Sequence, residues 1–252
     1  MTNSGHDSTH ALPQAVFTTT SVTDPSSSVL MAADRLLTHL ERGERIDAPV
    51  LRAAMQTAFG ASDATGAWDW KSAYDACEAA TVLFLRKYGT ALTRKAGSPG
   101  ACLLMLAKIV ALLPTHTRRS EEAQSFQQFS TPTPLGLVAA TAAGLMPGDV
   151  VLEPSAGTGL LAILAEVGGA SLVLNELAEL RVGLLSRLFP AIPVTRFNAA
   201  QIDDHLDPAV IPSVVLMNPP FSVMANVDGR QRDAAYRHVS SAVSIPRQSR
   251  GL

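Results

Sequence analysis

Three groups of residues have types and spacing that suit chemistry. The first is a glycine loop, Glu153, Pro154, Ser155, Ala156, Gly157, Thr158, Gly159, which follows a short β-branched run directly. Its two glycines let the backbone turn sharply and approach a ligand with no Cβ in the way, and open α/β sheets bind ligands at the carboxyl ends of their strands. The second is Glu176, which closes the next β-branched run 19 residues beyond Gly157. A carboxylate at that place can accept both ribose hydroxyls of an adenosine-containing cofactor. The alternative is an exposed acid interacting with a helix dipole. Glu153, one residue beyond its strand, can hold the ammonium at the amino-acid end of such a cofactor through ordered water, or simply cap the turn.

The third group is Asn218, Pro219, Pro220, Phe221, running straight out of the apolar segment Val214, Val215, Leu216, Met217. Consecutive prolines can neither continue a ladder nor start a regular helix, so they fix a rigid extended loop. Methyl transfer from a sulfonium to an amine is an in-line displacement, and the conjugated amine of a nucleobase is a poor nucleophile. The Asn218 side-chain oxygen and the Pro219 carbonyl can both accept hydrogen bonds from that amine, drawing its nitrogen toward tetrahedral geometry without a strong base. Phe221 offers an aromatic face to a flipped-out base. The plain alternative is a turn carrying a core phenylalanine.

These groups need a scaffold, and the pattern supplies one. Residues 1–27 are rich in Ser and Thr with few large apolar groups, so they are expected to stay disordered. Over residues 28–113 the apolar positions recur at three and four, as in Leu30, Ala33, Leu36, Leu37, Leu40, which reads as a helical region. Helices are expected over 70–88 and 99–113, separated by Gly89 and the Gly97, Ser98, Pro99, Gly100 cluster. Trp68, Trp70, Tyr74 and Phe84 read as a packing cluster on these helices. From 114 to 243 the pattern changes: a short apolar helix over 134–145, then β-branched runs at 149–152, 171–174, 194–197 and 213–217, with helical periodicity at 160–167 and 177–189. Strands alternating with helices predict an α/β fold, a Rossmann-like doubly wound parallel sheet preceded by a helical region. Residues 244–252 read as a tail.

Composition narrows the setting. The 252 residues are 47% hydrophobic, enough for a buried core, and carry a net charge of -2 with a pI near 6.3. A stand-alone nucleic-acid binder normally has a basic surplus, so any nucleic-acid contact must rest on local patches. Arg118, Arg119, Arg230, Arg232 and Arg237 are candidates, scattered solvated arginines being the more ordinary reading. Cys77 and Cys102 have no partners at metal-ligand spacing and read as buried free thiols. No run is long and apolar enough for a membrane span, and the first residues are not a signal sequence, so a cytoplasmic protein is expected.

In order and composition these elements resemble the class I S-adenosylmethionine-dependent methyltransferases, specifically the amine-methylating, adenine-specific group. The carrying residues are Phe129, Ser130, Thr131, Pro132, then Glu153 to Gly159, then Asn175 and Glu176, then Asn218 to Phe221. With Gln127, Gln128 and the helical region before them, they are similar more narrowly to the methyltransferase region of bacterial strawberry-notch-like methylase/helicase proteins. The resemblance implies S-adenosyl-L-methionine as cofactor, DNA as partner, and a helicase module encoded separately. It implies that Thr131 and Pro132 lie against the cofactor's carboxylate end and that Glu176 binds the ribose. Asn198 stands where such enzymes commonly carry an Asp for the adenine amine, with Asp203 as a distant substitute. The family's sheet has seven strands, whereas 31 residues follow Phe221, room for a loop, one helix near 233–243 and a tail. A domain cut short after its fourth strand is therefore expected.

Several readings stay open on the sequence. The same loop type serves methylation of glutamine amides in proteins, and RNA is a third substrate. A domain without its last strands can act only as a binding module. Gly157, Gly159 and Ala162 also fit a nicotinamide-binding spacing, which leaves Asn218 to Phe221 unexplained. Asp203, Asp204 and His205 are adjacent and read as a solvated loop before a metal site.

Overall fold

A computed structural model describes residues 24–114, 130–219 and 234–246. Four helices open it, and their starts are written in the sequence as acceptor side chains. Helix α1, Pro25–Arg42, is capped by Asp24, whose carboxylate accepts from the Ser26 N–H at 3.2 Å and the Ser26 hydroxyl at 2.7 Å. Helix α2, Ala48–Phe59, is capped by Asp47 on the Val50 N–H, and α3, Trp70–Ala96, by Asp69 on the Ser72 N–H. Helix α4, Pro99–Val110, starts at Ser98, which accepts from Ala101.

Two boundaries among these first helices differ from expectation. Residues 24–27 form the cap and first turn of α1 and are not part of a tail, because Asp-Pro-Ser-Ser is a helix-start signal; Ser26 and Ser28 are buried. Gly89 does not end a helix: α3 runs through it to Ala96. The residue is small for a packing reason, since a Cβ there would lie 2.8 Å from Val167 Cγ2. Its missing side chain lets α3 lie close against the helix that contains Val167.

Beyond α4 come α5, Thr133–Ala142, then β1, Val150–Glu153; α6, Ala162–Val167; β2, Ser171–Asn175; α7, Glu179–Leu188; β3, Val194–Thr195; α8, Ile202–His205; β4, Val214–Val215; and α9, Ala234–Ser244. The described strands make one sheet in the order β3-β2-β1-β4, every neighbouring pair parallel. Register is set by Val150 opposite Ser171 and Val151 opposite Val214. Successive residues of a strand face opposite sides, and both sides here are apolar. Val151, Leu172, Leu174 and Val214 join a large core that also contains Leu36, Leu51, Met55 and Leu85 of the first helices and Leu184 and Leu185 of α7. Leu152 faces the other way, into a smaller core with Ile202, Ala242 and Ile245. The sheet is thus doubly wound, and α1 to α4 share one core with its first face.

Ile245, expected in the tail, is 5% exposed and belongs to that second core. Trp68, Trp70 and Tyr74 do form a packed aromatic cluster, with ring centroids 6.0 and 6.1 Å apart along the series, whereas Phe84 pairs with Tyr88 at 4.9 Å. Cys77 and Cys102 are free and buried. Among the described residues no helix is long and apolar enough to cross a membrane.

Candidate functional site

The strand order reverses between β1 and β4: successive strands step outward from β1 to β3, and the fourth returns to the opposite side of β1. Open α/β sheets form their ligand crevice at such a point, outside the carboxyl ends of the strands. The glycine loop leaves β1 at that edge, and Asn218 and Pro219 follow β4 at the same edge. Asn175 ties the edge together. Its amide donates to the Pro154 carbonyl at 2.8 Å and the Phe197 carbonyl at 2.9 Å, while its oxygen accepts from the Thr195 hydroxyl and the Phe197 N–H, both at 2.9 Å. One buried side chain therefore fixes the segments leaving three strands.

Within the loop both glycines have positive φ, 58° at Gly157 and 88° at Gly159. The Gly157 N–H donates to Glu176 Oε2 at 2.8 Å, and the other Glu176 oxygen accepts from the Ala178 N–H at 2.8 Å. The acid chosen at the end of β2 thus meets the loop chosen after β1. Glu153 is 2% exposed, and its Oε2 is a buried acceptor with no hydrogen-bond partner among the described residues. Burial pushes its carboxyl well above the usual carboxylate range, against the Ala162 N–H and aided by the negative charge of Glu176. A buried oxygen without a donor is costly unless a ligand supplies one. Two acidic side chains, Glu153 and Glu176, thus flank the glycine loop at the crevice edge.

A third carboxylate arrives from the amino-terminal helices. Glu78 of α3 accepts at one oxygen from the Thr158 hydroxyl of the glycine loop and from the Ser130 hydroxyl, each at 2.6 Å. Asp75, one turn earlier on α3, takes Arg181 of α7 at 2.7 and 3.3 Å, with the Lys71 ammonium 3.9 Å away. All four side chains are buried, two positive and two negative. Burial and Asp75 push the Glu78 carboxyl up, while Arg181 and the two hydroxyls hold it down, with a net rise. Burial disfavours the Arg181 charge, but Asp75, Glu78 and Glu176 around it keep the guanidinium protonated. None of Glu78, Asp75 or Arg181 was singled out by motif. The available signal was Lys71, Asp75 and Glu78 at helical spacing inside a segment otherwise made of Ser, Ala, Cys and Tyr.

The remaining expected site residues fall as follows. Ala156 is buried and Ser155 half-buried; Thr131 is half-buried, and Pro132 precedes α5, its carbonyl accepting from Leu135 and Gly136. Asn198 is exposed and its side-chain oxygen caps the turn that follows, accepting from the Ala200 N–H at 3.0 Å. Asp203 and His205 are exposed; Asp203 is engaged with the Ser241 hydroxyl of α9, and His205 stacks on Phe197 at 4.7 Å. Asn218 and Pro219 are half-buried. Pro220, Phe221, Gln127, Gln128, Phe129, Arg118, Arg119, Arg230 and Arg232 lie outside the described residues, and Arg237 is exposed on α9.

Neither a protein-family profile nor a curated protein matches the chain. Among solved structures, a candidate RNA methyltransferase from Pyrococcus horikoshii aligns over 57% of this chain and 68% of its own, at 22% identity and a TM-score of 0.41. TrmN from Thermus thermophilus aligns over 53% of this chain and 44% of its own, at 17% identity and a TM-score of 0.38. The fold assignment rests on the strand order and register given above, a parallel α/β sheet whose crevice is lined by a glycine loop and carboxylates.

Proposed function

We propose that this chain is an S-adenosylmethionine-dependent methyltransferase acting on an amino nitrogen of a nucleobase, with adenine in DNA as the substrate that Asn218 to Phe221 resembles most. The observation that carries the reading is the meeting at one switch point of a positive-φ glycine pair, the Glu176 carboxylate bonded to it, and the partnerless buried oxygen of Glu153. Bound there, S-adenosylmethionine supplies an electrophilic methyl group on a sulfonium. Glu153 would take the ligand's ammonium and Glu176 its ribose hydroxyls. Asn218 and the Pro219 carbonyl, at the same sheet edge, would accept the target amine's hydrogens and orient its lone pair. Preorganised acceptors of this kind act on charge that develops during the reaction.

A net charge of -2 favours a second substrate class, a glutamine amide in a protein, and RNA is a third. Labelled methyl transfer to DNA, RNA and protein, run in parallel, separates them. Asn218→Ala should lower transfer by about 100-fold or more, the scale of losing one oriented polar group in an active site, while leaving cofactor affinity nearly unchanged. Undiminished transfer by that variant would overturn the role given to Asn218. A nicotinamide cofactor would suit the glycine spacing but gives Asn218 and Pro219 nothing to do.

A further inference from the structure

We propose that Glu78, on the amino-terminal helix α3, is a positioning residue of the cofactor site, holding the glycine loop and the segment before α5 together through one carboxylate oxygen. The inference rests on the methyltransferase reading above for what the loop binds, though not for the contacts themselves. Three segments far apart in the chain converge here: Glu78 lies 80 positions from Thr158 and 52 from Ser130, and both hydroxyls reach its Oε2 at 2.6 Å. Thr158 stands between the two glycines, and the preceding Gly157 N–H is held by Glu176. The loop is therefore fastened on one side by an acid of its own sheet and on the other by an acid of the helical region. Ser130 adjoins Thr131 and Pro132, so the same oxygen sets the distance between the two backbone segments that would border the ligand's amino-acid end.

A hydrophobic residue at position 78 would avoid the cost of burying a charge. What it could not do is accept two hydroxyls. Glutamine keeps an acceptor oxygen of the same reach, so Glu78→Gln should retain the function, whereas Glu78→Leu strands the buried Thr158 hydroxyl and the half-buried Ser130 hydroxyl. Thr158→Val removes one donor with little change of shape, and it keeps the test valid where Glu78→Leu fails to fold.

The experiment is calorimetric titration of the full chain with S-adenosylmethionine, together with amide hydrogen exchange over residues 154–161 in the ligand-free protein, each at a temperature where the variant is folded. Leaving a buried polar group without its partner costs enough for Thr158→Val and Glu78→Leu each to weaken binding and speed loop exchange by about 10-fold or more. Glu78→Gln should stay within about 3-fold of wild type, and combining Thr158→Val with Glu78→Leu should add little, since the two act on one contact. Wild-type affinity and wild-type loop exchange in both Thr158→Val and Glu78→Leu would overturn the role of Glu78 and leave the methyltransferase reading standing. Absence of binding by the wild-type protein would overturn that reading instead, and loop exchange would still decide whether Glu78 positions the loop.

Discussion

The two loop glycines should respond differently to the same substitution. Both have positive φ, so alanine at either costs about 1–2 kcal/mol in backbone strain. At Gly157 the added methyl meets nothing closer than Arg181 Nη1 at 3.7 Å, an ordinary contact. At Gly159 it would fall 2.6 Å from Phe189 Cε2, 3.0 Å from Cζ and 3.2 Å from Leu185 Cδ2. Phe189 and Leu185 are buried, and Arg86 lies over the Phe189 ring at 4.5 Å, so the ring has no open side to swing into. Overpacking of that kind adds about 1–3 kcal/mol. Gly157→Ala should therefore cost about 1–2 kcal/mol and Gly159→Ala about 2–5 kcal/mol, against a total that for domains is commonly about 5–15 kcal/mol. Urea denaturation at one pH measures both, with equal slopes showing that only stability has changed. A Gly159→Ala variant no less stable than Gly157→Ala would mean that the loop does not pack on α7 as described, and the reasoning would fail.

Other consequences can be measured on the same footing. Glu153 has its folded-state carboxyl raised by burial, so folding favours its proton; the associated stability is present at low pH and is lost as pH rises from the ordinary carboxylate range through the raised value. Denaturation across a pH series should show wild type losing stability in that window and Glu153→Gln losing less, with a residual slope of the same sign from Glu78; parallel curves would contradict the assignment. Asp75→Leu leaves Arg181 buried without its carboxylate and should cost about 3–5 kcal/mol. The double variant Asp75→Leu with Arg181→Met should recover much of that loss, and a double variant as unstable as the two losses added would show that the pair is not coupled.

The sequence made the frame of the site legible because its signals are local. Acceptor residues before helices, β-branched runs and a glycine pair act within a few positions, and the strand order expected from them is the order found, with a short helix, Ile202–His205, where a loop was expected. Glu176 could be placed beside the loop because the end of a second strand is a fixed place relative to the first. Its bond to the Gly157 N–H is the physical form of that spacing. What stayed hidden is long-range. The Arg181 and Asp75 pair spans 106 positions, and no periodicity announces which buried charge will meet which. Gly89 read as a break because its small size serves a neighbouring helix, and Ile245 read as tail because its partners, Leu152 and Ile202, are far away in the chain.

The β1 loop with Glu153 and Glu176 is proposed as a site for S-adenosylmethionine. Titrating the folded full chain with that ligand, followed by a melt at saturation, tests it most directly. Saturable binding at one site is predicted, lost in Glu176→Ala, with a stabilisation of about 2.7 kcal/mol at a ligand concentration 100 times Kd. A chain that melts cooperatively yet gives neither heat of binding nor any shift of its melting temperature would contradict the account.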